Sequence, residues 1–310
     1  MKKLVLFLIF IHVLIVGSVY QSRRLSVLRH SQEPVNYAGR TVQSAPVLNF
    51  ILVGLSGFRG IVSEVLWYRA ARLQDEGRYP ELVQLSEWIT RLDPQAVEAW
   101  AYTAWNLAYN ISVMYSDAET RWKWVSAGIR LLRDDALAYN PANGRVYREL
   151  AWLYADKIGD VRDSAHLYYK QALAKESNTL DPAVMKILER KFGPLDWRQP
   201  ESHAIYWAWQ GLPFADASEK IQLQRAILQP LITTYFIRGN PAVFEPLLDL
   251  FAELDRETAL FRELYVRFLF TAADQAPDEK TRMLSISRLR RIPGFEKITA
   301  EQIHSFIRRQ

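Results

Sequence analysis

Apolar and polar positions recur with a helical period along most of this chain. Between Gly144 and Lys175, Tyr147, Leu150, Ala151 and Tyr154 fall at i, i+3, i+4 and i+7, the spacing of one buried helical stripe. Gly159 and Asp160 interrupt it, and Ala165, Tyr169 and Ala172 start a second stripe at i, i+4 and i+7. Such stripes predict an antiparallel pair of helices, with small residues where the backbones approach and aromatics filling the space beside them. The pattern also predicts a helix within Gly77–Pro94, with Tyr79, Leu82, Leu85, Trp88 and Ile89 on its apolar side. A preceding helix over Val62–Glu76 carries Ala70 and Leu73. After Pro94, Trp100, Thr103, Ala104 and Leu107 form the stripe of a helix running through Ser116, and another follows from Ala118 to Tyr139. Downstream, Asp216–Arg238, Pro241–Leu254, Thr258–Ala273 and Asp278–Arg291 predict further helices, the first kinked or split by Pro230. Thr299 and Gln302 have the spacing of a capping box opening a last short helix to Arg308. No segment keeps the period-two alternation of a strand. The expected fold class is all-α.

The Gly144–Lys175 stripes resemble the tetratricopeptide repeat, whose first helix carries an aromatic, Leu, Gly or Ala and Tyr, and whose second carries Ala, an aromatic and Ala. The resemblance covers Val62–Lys175, with a weaker continuation to the end. Pro94 to Pro141 spans 47 residues and Pro141 to Pro182 spans 41, both beyond the usual period of about 34, an excess that extra helical turns absorb. The resemblance implies a right-handed α-solenoid of antiparallel helix pairs behind an N-terminal apolar helix. The expected organisation is an anchor at 1–22, a linker at 23–45, repeats over 46–182, and further helical repeats with a basic end over 183–310.

In this repeat family ligands lie on a concave face lined by the first helix of each pair. Carried onto this chain, that face holds Glu64 and Trp67, then Glu98, Trp105 and Tyr109, then Arg145, Arg148, Trp152 and Asp156. Large aromatics beside fixed charges suit an extended peptide or a partner helix. Trp105 and Trp152 stand where the family's carboxylate-binding groove uses Asn, which argues against recognition of a peptide carboxylate. The alternative is that both tryptophans are core.

Lys2 and Lys3 precede an uncharged run, Leu4–Tyr20, of about 25 Å as a helix, slightly short of a hydrocarbon core of about 30 Å. Val16-Gly17-Ser18 offers a cleavage site. Because no Ala-x-Ala is present and Tyr20 continues to an interfacial position, the expectation is an uncleaved anchor in a bacterial inner membrane, with the bulk outside the cytoplasm. Arg23, Arg24, Arg29 and Arg40 balance the upstream lysines, so loop charge does not fix the orientation. The apolar stretch Val47–Leu55 reads as a first helix of the array rather than a second span.

Composition narrows the chemistry. The net charge of +5 is spread among interspersed signs, without the basic stripe of a nucleic-acid binder. The absence of cysteine removes disulfides, thiolate metal sites and a thiol nucleophile. The five histidines form no His-x-x-x-His pair, and the single Glu-x-x-His, Glu301 with His304, lacks the second helix a di-metal site needs. No Gly-rich phosphate loop is present. No metal and no cofactor is expected. The final thirty residues carry seven Lys or Arg against two Glu and read as a solvated basic tail.

One segment keeps an acid–base reading open. Asp196, Arg198, Glu201 and His203 crowd among Trp197, Tyr206, Trp207 and Trp209. A carboxylate beside His203 could move protons near neutrality. Against this, Pro200 and Glu201 suit the first turn of a helix, and no nucleophile accompanies them. The sequence therefore points to a non-enzymatic, membrane-anchored scaffold binding protein or peptide partners. An enzyme or accessory subunit using Asp196–His203, and a structural subunit that oligomerises, are the alternatives.

Overall fold

The computed structural model describes residues 59–176, 179–257, 259–299 and 302–303. The anticipated anchor, the linker, the Val47–Leu55 stretch, the Glu301–His304 pair and the end of the last helix lie outside the described residues. All regular structure among the described residues is helical. None of those helices is long and apolar enough to cross a membrane.

Helices α1 (Arg59–Asp75) and α2 (Tyr79–Leu92) form a hairpin with its own small core of Ala70, Leu73, Leu82, Leu85 and Ile89, joined by Ala99 of the next helix. Trp88, expected on the inner stripe, is 39% exposed. Ser86 and Thr90 take the inner positions beside Ile89 and turn the buried arc away from it.

The next three helices are long and each contains a π-helical turn. Helix α3 runs Val97–Trp105, then through a π-turn at Asn106–Ile111 and a 3-10 turn at Ser112–Met114. Helix α4 runs Ala118–Arg130, through a π-turn at Leu131–Ala136, to Leu137–Tyr139. Helix α5 runs Gly144–Trp152 and ends in a π-turn at Leu153–Ile158. The stretch from Pro94 to Pro141 thus holds two long helices, α3 and α4. The expected α5 stripe is inside: Leu150, Ala151 and Tyr154 are buried, and Tyr147 is half-buried against Trp207 and Phe214. Close approach is met by small residues. A Cβ added to Gly128 on α4 would lie 2.8 Å from the Ala104 carbonyl oxygen on α3.

Helices α3 and α5 meet at equivalent positions. Arg145 Nη1 donates to Glu98 Oε1 at 2.7 Å near their N-terminal ends, and Tyr109 Oη donates to Asp156 Oδ2 at 2.7 Å near their C-terminal ends. Both bonds join residues 47 apart, so the two helices run side by side in the same direction. Their entrances match as well: Trp100 Nε1 donates to the Pro94 carbonyl and Tyr147 Oη to the Pro141 carbonyl, each at 2.9 Å.

Helices α6 (His166–Lys175) and α7 (Pro182–Phe192) follow, the latter not anticipated by name. Helix α8 (Pro200–Gly211, then a 3-10 turn at Leu212–Phe214) opens at Pro200, as expected, and pairs with α9 (Ala217–Phe236). Helix α9 runs on through Pro230 rather than splitting there. A proline removes one backbone bond, and Pro230 is buried in a helix of 20 residues whose other turns persist. The device that closes the second pair recurs here. Asn140 Nδ2 donates to the Pro94 carbonyl at 2.9 Å, and Asn240 Nδ2 donates to the Pro194 carbonyl at 2.8 Å. Each asparagine stands just before a proline and reaches back 46 residues to the entrance of its pair. Gly193 permits this second clamp: its φ is 86°, and a Cβ there would meet the Ala242 carbonyl at 2.9 Å.

The chain continues as α10 (a 3-10 turn at Pro241–Val243, then Phe244–Glu257), α11 (Ala259–Phe261 as a 3-10 turn, then Arg262–Asp274) and α12 (Glu279–Leu289). Thr299 and Gln302 form the predicted reciprocal box, through Thr299 N to Gln302 Oε1 at 3.0 Å and Gln302 N to Thr299 Oγ1 at 3.3 Å. One apolar core is continuous from Val97 to Ile303 and crosses Pro182 without a break.

Candidate functional site

A cavity of about 680 Å³ opens between α3, α5 and α9. Trp105 contributes from α3, and Arg148, Ala151, Trp152 and Ala155 from α5. The opposite wall is the Gln222, Arg225, Ala226, Gln229 and Pro230 face of α9. Three of the residues read from sequence as a binding face therefore stand together. Both tryptophans are on the surface, Trp105 at 41% and Trp152 at 52% exposure, so neither belongs to the core.

The other members of that face do not line the cavity. Glu98 and Arg145 are spent on each other. Tyr109 supports Trp105, with the rings stacked at 5.4 Å. Burial, with Asp156 accepting its proton, drives the Tyr109 phenol far above its usual range. Asp156 also receives Arg162. Glu64 is exposed on α1 and Trp67 packs edge-on against Tyr102 at 5.5 Å; neither lines the cavity.

A buried charge underlies Tyr109. Lys157, only 3% exposed, lies 5.1 Å from the Tyr109 ring centre and donates to Asp163 Oδ2 at 2.5 Å. Asp163 also takes Arg121 Nη2 at 2.8 Å and the Ala165 backbone N–H at 2.9 Å. Burial pulls the Lys157 ammonium down despite Asp163. It also pushes the Asp163 carboxyl up, but the bonds from Lys157 and Ala165 N outweigh it and hold that group below the usual carboxylate range. This cluster ties α4, α5 and the turn before α6 together through the π-turn of α5. Sequence pattern gave no signal for it, because a lysine in a helix reads as surface.

The α9 wall was also missed, although it had a signal. Gln222, Arg225 and Gln229 fall at i, i+3 and i+7, a polar stripe on a helix otherwise read for its apolar positions. Gln222 accepts from Arg148 Nη1 at 2.9 Å, joining the two walls, while Arg148 Nη2 donates to Glu149 at 2.7 Å. Pro230 has no N–H for the Ala226 carbonyl four residues back, so that wall lacks one helical backbone bond.

The Asp196–His203 segment is built differently. Asp196 pairs with Arg198 at 3.0 Å, and Glu201 takes Arg238 at 2.9 Å. His203 is 6% exposed, stacks on Tyr154 with centres 4.8 Å apart, and gives Nε2–H to the Trp197 carbonyl at 2.9 Å. Its Nδ1 is buried without a partner. Burial, opposed by the bond to Trp197, pushes the imidazole down to about 4. Each carboxylate of this segment thus has an arginine partner, and His203 has a carbonyl. Among the described residues no group of three or more His, Cys, Asp or Glu could hold a metal ion.

Neither a family model, nor a curated protein, nor a solved structure matches this chain.

Proposed function

We propose that this chain is a non-enzymatic, membrane-anchored scaffold of tetratricopeptide-like helix pairs that holds an extended peptide segment of a protein partner. The peptide lies in the cleft between α3, α5 and α9. The observation that carries this reading is the pair of exposed tryptophans, Trp105 and Trp152, in a cavity flanked by arginine and glutamine. Exposed indoles in a concave site provide large contact area at low entropic cost, and side-chain amides and guanidinium groups match peptide carbonyls. The repeat reading is supported by the 47-residue offset between α3 and α5 and by the recurring Asn-Pro clamps. It takes the array as a right-handed solenoid. The anchor is read from the apolar run Leu4–Tyr20 behind two lysines, with the helical array outside the cytoplasm.

The test is crosslinking in the native membrane with a photoreactive residue at Gln229, in the parent chain and in a chain carrying Arg148→Ala and Trp152→Ala. The crosslinked partner peptide should vanish from the double variant while circular dichroism is unchanged. Undiminished crosslinking to the same peptide would remove the cleft from consideration.

A further inference from the structure

A second cavity, of about 320 Å³, lies on another side of the molecule, where α4, α5, α6, α8 and the loops flanking α7 converge. Its wall carries three guanidinium groups, Arg130, Arg133 and Arg198, against a single carboxylate, Glu176. Asp134 grips Arg133 through Nε at 2.7 Å and Nη2 at 2.9 Å, and is not part of the wall. That grip fixes the fork and leaves Nη1 only a long 3.4 Å contact with Thr179 Oγ1. Arg130 has no ion pair among the described residues; its one bond is from Nη1 to Ser126 Oγ at 3.2 Å. Two guanidinium groups one helical turn apart therefore present unspent N–H donors to the same space, a geometry matched to oxyanions. The rest of the wall includes the buried Trp122 and Tyr154, packed against Tyr169 and His203, and the half-buried Trp197, whose indole is the aromatic surface left for a ring. The volume is at the small end of ligand pockets, which begin at about 300 Å³.

We infer that this cavity binds a small ring-bearing anion, a carboxylate or phosphate on a flat ring, with Arg130 and Arg133 on the anion and Trp197 against the ring. The site is separate from the peptide cleft and does not depend on it. His203 lies in its wall and, held neutral by burial, adds no charge, so the arginines alone set the preference for an anion.

Isothermal titration of the full chain in detergent with phenyl phosphate, inorganic phosphate and phenol tests this. Phenyl phosphate should bind one per chain, inorganic phosphate more weakly, and phenol not at all. Arg130→Met, at an exposed position that leaves the core untouched, should weaken phenyl phosphate by about tenfold or more, the scale of one charge-assisted bond. Ala174→Trp, also exposed and in the cavity wall, should fill the space and abolish binding with an unchanged melting temperature. No binding of phenyl phosphate, or equal binding by the parent and both variants, would overturn the site. Equal affinity for inorganic phosphate and phenyl phosphate would overturn the ring assignment.

Discussion

The cleft between α3, α5 and α9 and the Asp196–Trp209 segment look alike in sequence, each a crowd of aromatics and charges, yet they are opposites in space. In the cleft the indoles of Trp105 and Trp152 face solvent, while the charge beneath them, Lys157, is sealed in. Along α8 the order is reversed. Glu201, His203, Tyr206 and Trp207 are all buried, and the charged groups left outside, Asp196 and Arg198, pair with each other. Aromatic content alone therefore does not mark a binding face. What separates the two is whether a second helix covers the aromatic side: α9 lies against α8, but stands off from Trp105 and Trp152 across the cavity.

That contrast can be broken experimentally, and the largest effect should come from beneath the cleft. Asp163→Ala leaves Lys157 without its counter-charge in a buried site, a change that costs about 3–5 kcal/mol. Urea unfolding should show the midpoint falling accordingly. A shift no greater than that of an exposed salt bridge would mean that the cleft does not rest on this cluster.

The next effect lies on the α8 side and depends on pH. His203 has a folded value of about 4 against an ordinary 6.5, so the folded state resists a proton that the unfolded chain accepts. The stability tied to its neutral form is complete above pH 6.5 and is lost as the pH falls from 6.5 towards 4. The total is about 3 kcal/mol at most. His203→Phe, which keeps a ring against Tyr154, should flatten the stability profile across that window. An unaltered profile would show that other groups carry the acid sensitivity.

Smaller still, Arg238→Ala should lower stability by about 1–3 kcal/mol, because Glu201 remains buried without its partner. Trp152→Ala closes the series. An indole that is half exposed should cost about 1 kcal/mol or less, yet crosslinking through the cleft should be lost. If thermal melting instead placed Trp152→Ala below Arg238→Ala, the tryptophan would be a packing residue and the contrast between the regions would collapse.

How far the sequence carried the reading differs from element to element. The α5 stripe was legible because Leu150, Ala151 and Tyr154 obey a local period that the backbone imposes wherever they end up. Trp88 misled for a related reason: Tyr79, Leu82, Leu85 and Trp88, at i+3 steps, drift around a helix of 3.6 residues per turn, and burial followed Ser86 and Thr90 instead. Lys157 was invisible because its burial depends on Asp163, six residues on, and on Tyr109 from another helix.

By itself, the sequence determined the all-helical class, most of the helix breaks, the capping box at Thr299, and the residues Trp105, Arg148 and Trp152 as a face worth testing. These follow from periodicity and local hydrogen bonding, which need only neighbouring residues. Tertiary structure alone decided that this face is open while α8 is closed, that α9 supplies the opposite wall, and that Arg130 and Arg133 share a cavity with Trp197. Exposure and convergence depend on which helices pack against which, through contacts between residues tens of positions apart, and no local pattern encodes them.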